Sequence, residues 1–285
     1  MEFKKTTKSF LSLTDFSMDH INLIFKIADE LQSGNKYKHI LEGKTIVMFF
    51  PENSIRTRIS FEKGIYLLGG QTILFSPETL NKKEEIRDVV GYLNNWTDVA
   101  VIRHKNMKLI EEMVSFADFS IINAMTDINH PCEILTDLYS LSKIRNNYLQ
   151  DTYLFVGLKG NIGLEWKEVA DEIGLKFIQC CPPGYEIPGT EVLYDLKEAI
   201  KRADIVCTDS LPASALNDFK EYQITKEIMD MAKPGALLNP CPPFYRGEEV
   251  SQDVIESECF VGYHFKKYLL EIQQALIIYC ITGVF

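Results

Sequence analysis

Apolar and polar positions follow two rhythms along this 285-residue chain. Short apolar runs such as TIVMFF and VAVIR alternate with longer stretches in which apolar residues recur every three or four positions. The first pattern is that of a strand buried on both faces, and the second that of an amphipathic helix. Their alternation marks βαβ units and a parallel sheet. The expected class is α/β, with two doubly wound parallel-sheet domains joined by interdomain helices.

In the first half, strands are read at Thr45–Phe50, Gln71–Phe75, Val99–Arg103 and Ser120–Asn123. Helical spacing covers Ser17–Leu31, Thr57–Leu68, Glu84–Trp96, Lys105–Phe116 and Pro131–Ile144. The polar stretch RNNYLQDT follows, and the boundary is placed there. The second half reads as strand Tyr153–Val156, helix Gly163–Ile173, strand Lys176–Cys181 and helix Asp195–Ala203. Strand Asp204–Thr208, helix Thr225–Met231 and strand Ala236–Asn239 complete it. A final helix, about Lys266 to Cys280, is amphipathic enough to pack against either half. The expected domains are 1–144 and 145–265, with 266–285 open to packing back on the first.

Ligands of open α/β sheets sit beyond the carboxyl ends of strands. In FFPENSIRTR a strand ends at Phe50, Pro51 breaks the ladder, and Asn53 or Ser54 can cap a helix starting near Ile55. That helix start offers N–H groups, a positive dipole end and the hydroxyls of Ser54 and Thr57, a cradle for phosphate. Arg56 adds formal charge. Residues two apart point to different helix faces, so Arg58 is read as scaffold. The plain alternative is a capped surface helix with two solvated arginines. VIRH sets Arg103 at another strand end, and His130 precedes Pro131 at a helix start. In NPCPPF, Pro240, Pro242 and Pro243 stiffen an extended segment whose carbonyls can accept hydrogen bonds.

A net charge of -10 argues against a nucleic-acid or anionic-membrane surface, so an anion here must be held by local cations. With 46% hydrophobic and 25% charged residues and no low-complexity tract, the composition is that of an ordinary soluble enzyme. Seven cysteines without a C-x-x-C pair make a disulfide framework or zinc site an unsuitable reading and suit a reducing compartment. The start, MEFKKTTKSFLSLTDFS, has no apolar h-region, and the apolar tail from Ala275 to Phe285 is too short to span a bilayer. A cytoplasmic protein with no metal and no cofactor is expected.

The motifs together resemble the aspartate/ornithine carbamoyltransferase family. FFPENSIRTRISFEKGIYLLGG is similar to its S-T-R-T-R-x-S-F-E signature, HPCEILTDL to H-P-x-Q-x-L-x-D-L, and NPCPPFYRGEEV to H-C-L-P-x-x-R-G-x-E-V. KKEEIRDVV, GNIG and CTDS resemble the K-E-S-I-K-D-T, N-M-G and T-D-V-W segments of ornithine-type members. The likeness runs in order from about Leu11 to the final helix. It implies a carbamoyltransferase whose first domain binds carbamoyl phosphate and whose second binds an amine acceptor such as ornithine.

By that resemblance, Ser54, Ile55, Arg56 and Thr57 hold phosphate, and Arg103 bridges phosphate and carbonyl oxygen. His130 donates to that oxygen, and carbonyls around Pro240 and Cys241 receive the carbamoyl NH2; Glu133 lies beside that group and is expected to pair with a cation, such as an ammonium on an acceptor other than ornithine. Catalysis falls to Arg56, Arg103 and His130. Lys83 would come from a neighbouring subunit of a homotrimer with shared active sites. Asn161, Asp209 and Ser210 would bind the acceptor.

Departures from the family pattern are several. Glu133 stands for a Gln, Asn239 for a His, and Pro240 for a Cys that follows as Cys241. An S-M-G segment is absent from DSLPASALND, and an N-R pair is absent from YHFKKYLLEIQQA. Either a phosphate contact is lost there or Lys266 or Lys267 supplies it. Two other readings remain: a catalytically silent binding relative, and a nucleotide-dependent oxidoreductase suggested by Gly157, Gly160 and Gly163. The latter lacks both the G-x-G-x-x-G spacing and an acid ending the next strand.

Overall fold

The computed structural model describes residues 8–283. The start through Thr7 and the last two residues of the apolar tail lie outside the described residues. The chain divides into two compact units. The first takes in residues up to Tyr139 and those from Lys266 on, and the second runs Ser140–Phe265.

In the first unit, β1 (Thr45–Phe49), β2 (Gln71–Phe75), β3 (Val99–Arg103) and β4 (Ser120–Met125) form one parallel sheet in the order β2-β1-β3-β4. Its helices are α1 (Met18–Ser33), α2 (Ile55–Leu67), α3 (Ile86–Leu93), α4 (Met107–Phe116) and α5 (Pro131–Ile144), the last running past the division between units. Val47, Ala100, Ile102 and Ile121 pack with Ile110 and Met113 of α4. Each fully buried side chain of the latter kind stabilises by about 1.5–3 kcal/mol. The central strands are apolar apart from Thr45 and Arg103 at their ends, because helices cover both faces, whereas the edge strand β2 is largely exposed.

In the second unit, β5 (Thr152–Val156), β6 (Lys176–Cys180), β7 (Glu191–Leu193), β8 (Ile205–Thr208) and β9 (Leu237–Pro240) form a parallel sheet in the order β7-β6-β5-β8-β9. Around it lie α6 (Asn161–Ile173), α7 (Leu196–Ile200), α8 (Lys226–Met229) and α9 (Gln252–Ile255). The residues read as first in two helices turn out to be their caps. Asp195 accepts from the N–H groups of Lys197 and Glu198, and Thr225 accepts from that of Ile228.

The last helix differs from its reading. A 3₁₀ turn over Tyr263–Tyr268 precedes α10 (Leu269–Thr282), which is buried from Ile272 through Cys280 rather than amphipathic. It packs within the first unit against α1, α2 and β4. Gln274, a polar face by periodicity, is buried and donates to the Gly64 carbonyl at 3.0 Å.

Each sheet reverses its strand order once: between β1 and β3 in the first unit, and between β5 and β8 in the second. Loops leaving the carboxyl ends of such a strand pair diverge and open a crevice.

Candidate active site

In the first unit the reversal gathers residues from β1, β3 and the loop before α5. After β1, the Ser54 N–H donates to Pro51 O at 3.0 Å and that of Ile55 to Asn53 O at 3.0 Å, turning the chain into α2. Ser54 occupies the cap position but makes no capping bond. Its hydroxyl accepts instead from Arg103 Nη1 at 3.1 Å. A charge-assisted bond is roughly twice as strong as a neutral one, so the guanidinium outcompetes the helix. A register shift between Ile102 and Arg103 aims that side chain, as bulges do beside active sites. Ser54 and Thr57 are buried, while Arg56 and the Ile55 side chain are exposed. Arg58 turns away from the strand ends into an ion pair with Glu62 at 2.8 Å.

His130 is fixed from both sides. Asn129 Oδ1 accepts from Asn123 Nδ2 at 2.8 Å and Thr126 Oγ1 at 2.6 Å, its Nδ2 donates to Leu11 O at 3.1 Å, and Pro131 begins α5. Sequence reading passed over this asparagine network, although Asn123 at a strand end, six residues before the Asn129 of the N-H-P triplet, hinted at it. The imidazole is buried, and burial, joined by the charges of Arg103 and Lys266 and opposed by Glu133, pushes its pKa down to about 4. His130 is therefore neutral at physiological pH, with an N–H to donate.

Glu133 lies one turn into α5 and is buried, so a solvent-facing helix carboxylate is ruled out for it. Burial alone would push its pKa up, but Lys266, with His130 and Arg56 assisting, holds it below the usual carboxylate range. Lys266 Nζ stands 2.7 Å from Glu133 Oε1 and also contacts Asp137 Oδ1. Lys267 instead lies over the Tyr268 ring, 4.6 Å from its centroid. Lys83 sits in the exposed loop before α3.

In the second unit Asn161 opens α6 after β5, and Asp209 and Ser210 follow β8, on the two sides of the strand reversal. The Ser210 N–H donates to Asp209 Oδ1 at 2.8 Å. A Cβ on Gly160 would stand 3.6 Å from Asp209 Oδ2, so the start of α6 and the acid are neighbours. Cys241 N–H donates to Thr208 O at 3.0 Å, which brings Pro240 and Cys241 alongside. Gly157 and Gly163 have a packing origin: a Cβ would meet the Phe155 ring at 2.8 Å and 2.6 Å.

The family profile described as aspartate/ornithine carbamoyltransferase, carbamoyl-P binding domain, matches residues 8–143. The profile of the Asp/Orn binding domain of the same family matches residues 150–280. The chain belongs to the aspartate/ornithine carbamoyltransferase family. It is 31% identical over 294 residues to the ornithine carbamoyltransferase of Syntrophotalea carbinolica, with 94% of this chain and 97% of that protein covered. The solved ornithine carbamoyltransferase of Pyrococcus furiosus superposes with a TM-score of 0.91 at 27% identity, covering 98% of each chain. That of Burkholderia thailandensis gives 0.89 at 28%, covering 97% of this chain and 99% of its own.

The carbamoyltransferase relationship leaves two local differences to physical reasoning. A Glu–Lys ion pair occupies the region of the family's Gln and N-R pair, and a short DSLPASALND follows β8 where an S-M-G segment is usual.

Proposed function

We propose that this protein transfers the carbamoyl group of carbamoyl phosphate to an amine of an amino acid, ornithine or a related amine, and releases phosphate. The observation that carries the reading is the contact of Arg103 with Ser54 at a strand reversal, beside a neutral, buried His130. Ser54, Ile55, Arg56, Thr57 and Arg103 bind the phosphate, and Arg103 with the His130 N–H faces the carbonyl oxygen. Attack by the neutral amine forms a C–N bond and places negative charge on that oxygen, where preorganised donors stabilise it. The C–O bond to phosphate then breaks, and the amine nitrogen loses its proton. Asn161, Asp209 and Ser210, an amide, an acid and a hydroxyl, suit an acceptor carrying both ammonium and carboxylate.

The assembly proposed is a homotrimer with shared sites. Ile55, Ile59 and Tyr66 lie on one face of α2 with 62%, 58% and 77% exposure, and Ile73 and Phe75 of edge strand β2 are exposed as well. An apolar surface of this kind marks an interface, and a second copy also brings a loop lysine, Lys83, as the family likeness implies. Seven cysteines and no C-x-x-C pair suit a cytoplasmic setting.

A ureido assay with carbamoyl phosphate and a panel of amino acids and diamines tests the reading. Product formation with at least one amine supports it. A protein that binds carbamoyl phosphate yet yields no ureido product with any amine is a silent relative, the reading favoured by the altered Glu133 region.

A further inference from the structure

The carbamoyl site contains an ion cluster whose composition calls for a reason. Lys266 bridges two carboxylates one turn apart on α5, Glu133 and Asp137, and the three side chains are 17%, 7% and 3% exposed. The Tyr139 and Tyr268 rings, 5.2 Å apart and edge to face, brace the same stretch against α5. The charged and titratable groups around Glu133 are Lys266, Arg56 and His130, and around His130 they are Glu133, Arg103 and Lys266. Two acids to one ammonium is an unfavourable balance beside a dianion, and an amide at position 133 would avoid it. What a carboxylate adds is directionality. It can only accept hydrogen bonds, whereas an amide or a protonated acid also donates.

We propose that Lys266 is a positioning residue that, by bridging Glu133 and Asp137, fixes the Glu133 carboxylate as a pure acceptor for the carbamoyl NH2 and thereby selects carbamoyl phosphate against isosteric acyl phosphates. The inference rests on the carbamoyl-transfer reading. A methyl group has the size of NH2 but donates nothing, so an acyl phosphate such as acetyl phosphate would bury the Glu133 carboxylate with Lys266 as its partner and no N–H from the ligand. Sites built around a substrate N–H reject the analogue lacking it strongly, because their own polar group is stranded. Without Lys266, burial drives Glu133 to take up a proton, and the acceptor becomes a group that can turn an O–H toward either ligand.

The test uses two non-hydrolysable ligands that differ only at this group, phosphonoacetamide and acetonylphosphonate, in calorimetry with the full chain. Wild type should favour the amide by about tenfold to a hundredfold, the worth of one charge-assisted hydrogen bond, with a ratio constant from pH 5.5 to 8. Lys266→Met should lower the ratio at least about tenfold at pH 6 and make it depend on pH, and Lys266→Arg should restore most of it. An unchanged ratio in Lys266→Met, or failure of arginine to rescue, overturns the proposal. Should Lys266→Met not fold, the carboxyl carbon of Glu133 is read by ¹³C NMR in wild type, assigned by its loss in Glu133→Gln. An ionised signal at pH 5.5 supports the proposal, and a protonated one overturns it. Equal binding of both ligands by wild type refutes the selection alone, whereas binding of neither removes the carbamoyl-phosphate reading beneath it.

Discussion

Arg103 is the residue on which the proposed chemistry depends most, and replacing it with methionine isolates that dependence. Methionine keeps the length and apolar stem of the half-buried side chain but removes the guanidinium fork. In the mechanism that fork makes one charge-assisted bond to phosphate and one to the developing oxyanion. At about 1.5–3 kcal/mol each, the pair amounts to ~3–6 kcal/mol, or about 10²–10⁴ in kcat/KM. The fold should tolerate the change. Ser54 loses its 3.1 Å donor, but its hydroxyl is then released to cap α2, a bond worth about 0.5–2 kcal/mol. Tm should accordingly stay within about 2–4 °C of wild type. The pH profile should move as well: the guanidinium disfavours a charged imidazole, so its removal raises the His130 pKa from about 4 and shifts the acid limb upward. The ureido assay supplies kcat/KM and thermal melting supplies Tm. A loss of less than tenfold with an unmoved acid limb would refute the role assigned to Arg103.

Arg56→Ala should weaken carbamoyl phosphate binding by roughly ten- to a hundredfold, whereas Arg58→Ala, which breaks only the pair with Glu62, should leave affinity within about twofold; calorimetry giving the reverse ranking would show the helix faces misassigned. Mixing inactive Lys83→Ala and Arg56→Ala chains should regenerate wild-type sites in hybrid trimers, and verified hybrids without recovered turnover would mean that each site is built within one chain. Glu249, buried in the loop after β9, has its pKa raised to about 7, chiefly by burial, with Glu248 and Asp209 adding to it and backbone donors opposing. The folded protein thus binds this proton more tightly than the unfolded chain, so the stabilising contribution is complete below about pH 4.5 and is lost as pH rises to about 7. Glu249→Gln, which can still accept from the Tyr245 N–H, should therefore raise Tm more at pH 8 than at pH 5; equal shifts at both would contradict the assignment.

The parts of the fold that could be read from the chain are those whose burial is uniform. Gln71–Phe75, Val99–Arg103 and Pro131–Ile144 have the ends that periodicity assigns, because Gly, Asp and Pro punctuate them. Periodicity missed β7, three residues beginning with a charged Glu191, and α9, a single turn capped by Ser251. It also misread α10, since a polar side chain satisfied by a backbone carbonyl, as Gln274 is, looks in sequence like one facing water. In the candidate site, Ser54, Arg103 and His130 stand out in the sequence because each sits at an element's end, where pattern and chemistry change together. The partner of Glu133 was not. Lys266 lies on a distant stretch of chain, one of two adjacent lysines, and only tertiary structure separates the one paired with Glu133 from the one stacked on Tyr268.

The two strand reversals divide the chemistry by charge. In the first unit the residues gathered there are Arg56, Arg103 and the hydroxyls of Ser54 and Thr57, with His130 kept neutral by burial. That set favours a phosphate against a chain of net charge -10, and its cations act where the field would otherwise repel the ligand. In the second unit the corresponding residues are Asn161, Asp209 and Ser210 at the reversal itself, with Arg246, Glu248 and Glu249 in the loop after β9. Asp209 attracts an ammonium, while Arg246 and Glu248 leave the neighbouring loop mixed in sign. In the segment after β8 itself an α-carboxylate would find neutral donors, the Ser210 hydroxyl and across the reversal the amide of Asn161, since DSLPASALND carries no cation. Loss of the S-M-G segment removes donors from the same side. Beside β8 that is a setting for an ammonium more than for a carboxylate, and this is why diamines belong in the ureido panel beside ornithine.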